Sequence, residues 1–143
     1  EIKVVKEGGI KTILGSCVAI VLHDPFNHIS GLAHVMLPYR KGDDVAGKYA
    51  DSAVPALIQQ MVQMGAKKGM LEATLVGGAR MFSMSNSYLS IIGDQNAEVS
   101  KKVLKENNIP IIYEELGGTV GRTVEFDNAT GKIEVKTLKA LTR

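Results

Sequence analysis

The stretch CVAIVLHDPFNHISGLAHVML, residues 17–37, contains two apolar segments on either side of a short polar break. The first segment, at 17–23, is rich in β-branched residues and is typical of a buried strand. The break DPFN, at 24–27, predicts a turn, because Pro25 presets its backbone angle and Asp and Asn favour turn ends. The second segment, at 29–37, then returns beside the first. We therefore predict a buried antiparallel β-hairpin.

Seven further strands are predicted from short apolar or alternating segments that end at glycine, proline or asparagine. They lie at residues 2–6, 10–14, 70–78, 87–93, 110–116, 122–126 and 132–138. The last two are joined by DNATG and are expected to form a second hairpin.

Two helices are predicted between these strands. The first begins at Asp51 or Ser52, either of which can cap it, and ends at Gly65. Its apolar residues recur at helical spacing and are expected to be buried: Ala53, Leu57, Met61 and Met64. The second helix begins at Asp94 and ends before Pro110.

This order of elements predicts an α+β fold, because strands and helices do not alternate as strictly as a doubly wound parallel sheet requires. We expect a single domain over residues 1–143, with a mixed sheet and its helices on one side. A net charge of +2 and the absence of tryptophan argue against a nucleic-acid partner. No apolar run reaches the ~18 residues of a membrane helix. One cysteine fits a reducing, cytoplasmic location.

The single cysteine, Cys17, is either a small hydrophobe of the core or a nucleophile. With a loop at 24–27, the hairpin places Cys17 directly opposite His34, with Cβ atoms about 4.5–5.5 Å apart on one face. A register slip of one residue would put the two side chains on opposite faces. An imidazolium beside a thiol lowers the thiol pKa, and the thiolate can attack an acyl carbon. The pair is therefore a candidate for a Cys–His hydrolase, and a packed core thiol with a core histidine is the other interpretation.

Glycines and backbone amides near the cysteine suggest how a substrate is held. Gly15 allows a substrate to approach the backbone closely, and the amide of Ser16 or Cys17 is expected to face a developing oxyanion. Gly78, in GGARMF at 77–82, is expected to allow close approach at a strand end near the site. That motif lacks the Gly-Lys-Ser/Thr of a phosphate-binding loop. The histidines and aspartate of the hairpin tip form no closed set of metal ligands.

The motifs LGSCVAIVLHD, GLAHVMLP and GKYAD, followed by GGARMF, IGDQN and GGTVGR, resemble the CheD family of chemoreceptor glutamine deamidases over nearly the whole chain. The resemblance implies a three-layer α/β sandwich with two main helices, similar to cysteine-dependent glutamine-deamidating toxins. It implies a cytoplasmic chemotaxis protein that hydrolyses glutamine amides on the cytoplasmic helices of methyl-accepting chemoreceptors, without metal or organic cofactor. Some members also act as methylesterases, and members bind and stimulate the CheC phosphatase.

The resemblance also assigns roles to residues. It makes Cys17 the nucleophile and His34 its partner, with Thr12 as the candidate that orients the imidazole. The competing interpretation of Thr12 is a strand residue without a catalytic role. Asn96 is expected to hydrogen-bond the loop or the substrate, or to cap the second helix. Gln95 stands where the family usually has arginine, which removes a positive charge near a substrate-facing loop. The alternative to an enzyme is a regulatory module that binds CheC.

Overall fold

Two β-sheets pack face to face in the computed structural model, which describes residues 1–80 and 88–138. The strands are β1 (Ile2–Val5), β2 (Gly9–Leu14), β3 (Val18–Asp24), β4 (Ile29–Val35), β5 (Glu72–Gly77), β6 (Ile111–Leu116), β7 (Arg122–Asp127) and β8 (Ile133–Thr137). The helices are α1 (Ala50–Gln63) and α2 (Tyr88–Glu106), and two short 3-10 turns lie at Ala46–Lys48 and Lys68–Met70.

The predicted hairpin lies at the centre of the larger sheet. This five-stranded sheet has the order β1-β4-β3-β5-β6, in which β5 and β6 run parallel and the other neighbours run antiparallel. The smaller sheet has the order β2-β7-β8 and is antiparallel throughout. Because β3 is paired on both edges and packed on both faces, all seven of its residues are buried.

The two faces of β3 contribute to two separate hydrophobic cores. Val18, Ile20 and Leu22 pack with α1 and α2, while Ala19 and Val21 pack with the smaller sheet. Side chains alternate between the faces of a strand, so one strand supplies both cores. The layers are therefore helices, five-stranded sheet and three-stranded sheet. The predicted α+β class and three-layer arrangement are confirmed, with both helices on one side.

The strand predicted at 87–93 is wrong, because residues 88–93 form the first turns of α2, and Ser87 lies outside the described residues. Ile92 is 3% exposed and continues the apolar stripe of Val99 and Val103. This spacing of seven and then four residues keeps one helix face against the sheet. Asp94 does not begin the helix but lies within it, where its carboxylate pairs with Arg80 at 3.0 Å.

The ends of α1 also differ in detail from the prediction. Tyr49 is the N-cap residue and makes no side-chain cap, so neither Asp51 nor Ser52 caps the helix. The Asp51 carboxylate instead accepts a hydrogen bond from the Arg40 N–H at 2.8 Å. Met64 is 37% exposed and lies at the C-cap, outside the buried face. Gly65 follows it with φ +111, as predicted for a glycine that ends a helix.

The hairpin register differs from the prediction by two residues. Asp24 pairs with Ile29, so the turn occupies 25–28 and His34 lies opposite Ala19 rather than Cys17. The Asp24 backbone is part of the ladder, and its carboxylate caps the turn by accepting hydrogen bonds from the Phe26 and Asn27 N–H groups at 3.0 and 2.9 Å. The predicted direct pairing of Cys17 with His34 is therefore wrong. A shift of two residues nevertheless keeps both on one face.

Gly77→Ala is expected to destabilise the fold where the end of β5 meets the start of β3. Gly77 has φ +116, and a Cβ there would lie 2.2 Å from the Cys17 carbonyl oxygen. Backbone strain and the clash should together lower the free energy of unfolding by about 3 kcal/mol in urea denaturation. Gly69→Ala is the control, because no atom lies within 4 Å of its Cβ position. Equal stabilities of the two variants would contradict this account of Gly77.

Candidate active site

Cys17 and His34 lie on the face of the larger sheet that is turned toward the smaller sheet. Cys17 immediately precedes β3, is half-buried and packs against the core shared by the two sheets. His34 is two residues from Leu32 on β4 and therefore shares its face, and Leu32 belongs to the same core. Since His34 pairs with Ala19, Cys17 is its diagonal neighbour, at a typical separation of about 7–8 Å. An imidazole ring is long enough to span much of that gap.

Thr12 reaches His34 from the smaller sheet. Its Oγ1 lies 3.0 Å from His34 Nδ1, in a partly buried hydrogen bond. Thr12 is held there because Ile10 and Leu14, two residues away on either side, are buried between the sheets. In the described part of the chain the ring makes no hydrogen bond to Cys17. The contact fixes the ring from the Nδ1 side and leaves Nε2 available for chemistry.

The loop Gly15–Ser16–Cys17 is held through its carbonyl groups. Each of the three carbonyls accepts a hydrogen bond from a donor that follows β5 or lies on α2. The bonds run from Ala79 N to Gly15 O at 3.0 Å, from Asn96 Nδ2 to Ser16 O at 3.2 Å and from Gly78 N to Cys17 O at 2.9 Å. The loop backbone is therefore fixed on one side by three separate donors.

The amides of the same loop remain available on the other side. Within residues 1–80 and 88–138, no hydrogen bond uses the N–H of Ser16 or of Cys17. In a trans peptide the carbonyl and the following N–H point in opposite directions. Holding the Gly15 carbonyl therefore directs the Ser16 N–H away from the segment after β5, and holding the Ser16 carbonyl directs the Cys17 N–H away from α2. Gly78 donates its own N–H to Cys17, so it supports the loop and its amide is not free for an oxyanion.

Asn96 is buried and binds backbone rather than a surface ligand. It is 0% exposed, and its Nδ2 donates to Ser16 O and also to Met36 O at 3.1 Å. It lies well inside α2, so it does not cap the helix. The preceding Gln95 is exposed and lines a separate cavity of about 310 Å³ with Tyr39 and Lys41.

Burial shifts both titratable groups of the site toward their neutral forms. Partial desolvation raises the pKa of the Cys17 thiol and lowers the pKa of the His34 imidazole. A raised thiol pKa keeps the proton on sulfur, and a lowered imidazole pKa keeps the ring uncharged near neutral pH. Both shifts run against the lowered thiol pKa that an imidazolium beside the cysteine would produce, and they favour the neutral thiol and the neutral imidazole.

The hairpin tip uses its polar groups in packing and turn formation. His23 Nε2 lies 3.2 Å from the Asn128 carbonyl oxygen, and its ring meets Phe126 edge-on at 5.2 Å. Desolvation acts to raise the pKa of Asp24, but hydrogen bonds from the Lys67 N–H and from the turn residues outweigh it and lower the pKa. Over the described ranges the structure groups no three metal-ligating side chains. Nor does any described helix have the length and apolarity needed to cross a membrane.

Gly93 is a site residue that the sequence did not reveal. A Cβ at Gly93 would lie 2.5 Å from the Ala79 carbonyl oxygen and 2.6 Å from that of Gly78. Only glycine therefore lets α2 approach the segment that holds the cysteine loop. The predicted strand over 87–93 concealed this role, since a close helix approach is meaningful only once the residue is known to be helical.

Comparison with known proteins gives a consistent family. A model of CheD, described as CheD chemotactic sensory transduction, matches residues 36–137. "Probable chemoreceptor glutamine deamidase CheD" of Geobacillus kaustophilus is 46% identical over 130 residues, which cover 87% of this chain and 79% of the relative. The protein of that name in Caldanaerobacter subterraneus is 45% identical over 144 residues, covering 96% of this chain and 89% of the relative.

A third relative, "Chemoreceptor glutamine deamidase CheD" of Halalkalibacterium halodurans, is 42% identical over 130 residues, covering 87% of this chain and 80% of the relative. The family model begins after the cysteine loop, but an alignment over 96% of the chain also spans the part that precedes residue 36. Both the family model and these relatives support one conclusion. The chain belongs to the CheD family.

Proposed function

We propose that this protein is a chemoreceptor glutamine deamidase that converts glutamine side chains of methyl-accepting chemoreceptors to glutamate. One observation carries the proposal: Thr12 fixes His34 on the same face as Cys17. The Ser16 and Cys17 N–H groups, which donate to no acceptor within residues 1–80 and 88–138, belong to the loop that carries the cysteine. The relatives named chemoreceptor glutamine deamidase supply the substrate class.

The first half-reaction forms a thioester. Cys17 Sγ attacks the Cδ carbonyl of the glutamine, and the thiol proton moves to His34 Nε2. The negative charge that develops on the carbonyl oxygen is stabilised by the Ser16 and Cys17 N–H groups. When the C–N bond breaks, the proton on His34 passes to the leaving nitrogen, which departs as ammonia. The glutamyl group remains bonded to sulfur.

The second half-reaction hydrolyses the thioester. Water attacks the same carbonyl carbon and gives a proton to His34, and the C–S bond then breaks. The sulfur takes the proton back as glutamate leaves, so the resting thiol and neutral imidazole are restored. A cavity of about 120 Å³, lined by Thr12, His34, Lys3 and Lys11 among others, gives water a route to the imidazole.

Thr12 supports this chemistry through the tautomer of His34. If Nδ1 carries the proton and donates to Thr12 Oγ1, the lone pair is on Nε2, where a base is needed. The opposite tautomer would place a proton on Nε2 and block proton transfer from sulfur. Thr12 therefore orients the ring, and in the Nδ1–H tautomer it leaves the lone pair of Nε2 available to accept the thiol proton.

The family resemblance extends the proposal beyond catalysis. We propose that residues 1–143 form one cytoplasmic deamidase domain that also binds the CheC phosphatase and stimulates it. Because this second role needs a surface rather than a thiol, it should survive loss of Cys17. The regulatory module without deamidase activity is the alternative, and the next experiment separates the two.

Cys17→Ala should abolish deamidation of cognate receptor fragments while the fold is retained. Loss of the nucleophile removes the covalent route, and the small alanine is compatible with a half-buried position. Mass spectrometry follows the mass increase that accompanies conversion of glutamine to glutamate. Ser30→Ala, in the same hairpin but at its far end, serves as the control and should keep activity. No conversion by the wild-type protein would contradict the enzyme proposal and favour the regulatory module.

The resting thiol should react slowly with iodoacetamide at pH 7. Since burial raises the pKa of Cys17, the thiolate fraction should rise only as pH exceeds the ordinary cysteine value of about 8.5. The alkylation rate is measured against pH by intact mass, and the same chain unfolded in urea is the reference. A midpoint below that of the unfolded chain would show a lowered pKa and contradict the neutral resting pair.

Thr12→Val and Thr12→Ser separate the hydroxyl of Thr12 from its shape. Valine keeps the volume but removes the acceptor for His34 Nδ1–H, so kcat should fall by about 10- to 100-fold. Serine keeps the hydroxyl and should restore most of the activity. Both are measured by ammonia release from receptor fragments. Equal activity of Thr12→Val and the wild type would contradict a role of Thr12 in orienting His34 and would favour a strand residue without a catalytic role.

A further inference from the structure

We propose that Asn96 is a positioning residue for the deamidation reaction, because it joins the two chain segments that carry the nucleophile and the base. The inference rests on the proposed function for the roles of Cys17 and His34. Asn96 itself is 0% exposed, so it acts through the backbone and touches no substrate.

Asn96 binds both chain segments at the point where the central β-ladder ends. The last pair between β3 and β4 is Val18 with Val35, and the next pair in the same register would be Cys17 with Met36. In place of that pair, Asn96 Nδ2 donates to Ser16 O at 3.2 Å and to Met36 O at 3.1 Å. The side-chain amide thus bridges the two strands just beyond their last backbone pair.

This bridge controls the distance that the reaction depends on. Ser16 is bonded to Cys17, and Met36 lies two residues beyond His34. Because the ladder ends at Val18, strand pairing places Cys17 only through that neighbour, and the hydrogen bonds to the loop fix its position relative to His34. Both hydrogens of the amide are used, one on each segment, so either segment can move only by breaking a buried hydrogen bond.

The same bond orients an oxyanion donor. Ser16 C=O and Cys17 N–H belong to one planar trans peptide and point in opposite directions. The bond from Asn96 to Ser16 O therefore fixes the direction of the Cys17 N–H, which the proposed mechanism aims at the developing oxyanion. Asn96 should then affect the transition state more than the binding of the receptor.

Asn128 provides a matched control at the other end of the sandwich. It is 2% exposed, and its Nδ2 donates to two carbonyls from separate segments, Lys6 O at 2.9 Å and His28 O at 2.8 Å. It also accepts a hydrogen bond from the Ser30 hydroxyl. Truncating either asparagine removes a buried bridge, but only Asn96 contacts the cysteine loop.

The experiment compares Asn96→Ala with Asn128→Ala at a temperature where both are folded by circular dichroism. Asn96→Ala should lower kcat for receptor deamidation by about 10- to 100-fold with little change in KM, since small misplacements of reacting groups have effects of this size. Asn128→Ala should keep the wild-type kcat. If Asn96→Ala does not fold, it is replaced by Asn96→Ser, which keeps one donor. This variant should show a smaller decrease in kcat, again with little change in KM.

Hydrogen exchange tests the bridge without relying on turnover. Asn96→Ala should speed amide exchange in the peptide that contains Gly78 and Ala79, whose N–H groups donate to the Cys17 and Gly15 carbonyls of the loop, and Asn128→Ala should not. Equal kcat and equal exchange in this peptide for the two variants would overturn the role of Asn96. A wild-type protein that fails to deamidate receptors would instead overturn the proposed function, while the exchange result would still decide whether Asn96 holds the loop.

Discussion

The three hydrogen bonds to the carbonyls of Gly15, Ser16 and Cys17 are the constraint on which the site depends. They fix the loop from the side of β5 and α2, and so leave its amides directed the other way. Because the loop is already held through its carbonyl groups, its N–H groups need little further ordering when negative charge develops on the substrate oxygen. This is how a preorganised oxyanion site works. The position of Cys17 follows from the same bonds, because the residue lies outside the ladder of β3.

Close backbone contacts make that arrangement possible. Gly77 and Gly93 both occupy positions where a Cβ would meet a carbonyl oxygen at 2.5 Å or less. One lets the end of β5 pass beneath the cysteine, and the other lets α2 pack onto the following residues. The smaller sheet closes the site from the opposite side and brings Thr12 to His34. The three layers therefore each supply one part of the site: the loop support, the reacting pair and the orienting hydroxyl.

Local sequence patterns were sufficient for much of this architecture. The buried hairpin, the alternation of its faces and the C-terminal hairpin could be predicted because each depends on neighbouring residues. The register could not, since the turn at 25–28 is set by hydrogen bonds of the Asp24 carboxylate rather than by the turn-forming residues alone. The first turns of α2 were also missed, because YLSIIG has strand propensity, and only the structure shows Ile92 buried on a helix and Gly93 against the residues after β5.

Some site residues could likewise be predicted from the sequence, and others could not. Cys17 and His34 were found together because face parity survives a register error of two residues, and Thr12 was named through the family resemblance. The buried bridge made by Asn96 could not be foreseen, as it joins segments sixty and eighty residues away along the chain. The effect of burial on the site could not be predicted either: pairing a thiol with an imidazole predicts a lowered thiol pKa, whereas desolvation raises the pKa of Cys17 and lowers the pKa of His34.

The central claim is a thioester on Cys17, and trapping with hydroxylamine tests it most directly. Hydroxylamine competes with water for an acyl-enzyme and converts it to a hydroxamate, releasing the thiol. With the wild-type protein and a receptor fragment, the account predicts a hydroxamate at the same glutamines that are otherwise converted to glutamate, and none with Cys17→Ala. Glutamate formation at an undiminished rate in Cys17→Ala, without hydroxamate in the wild type, would contradict it.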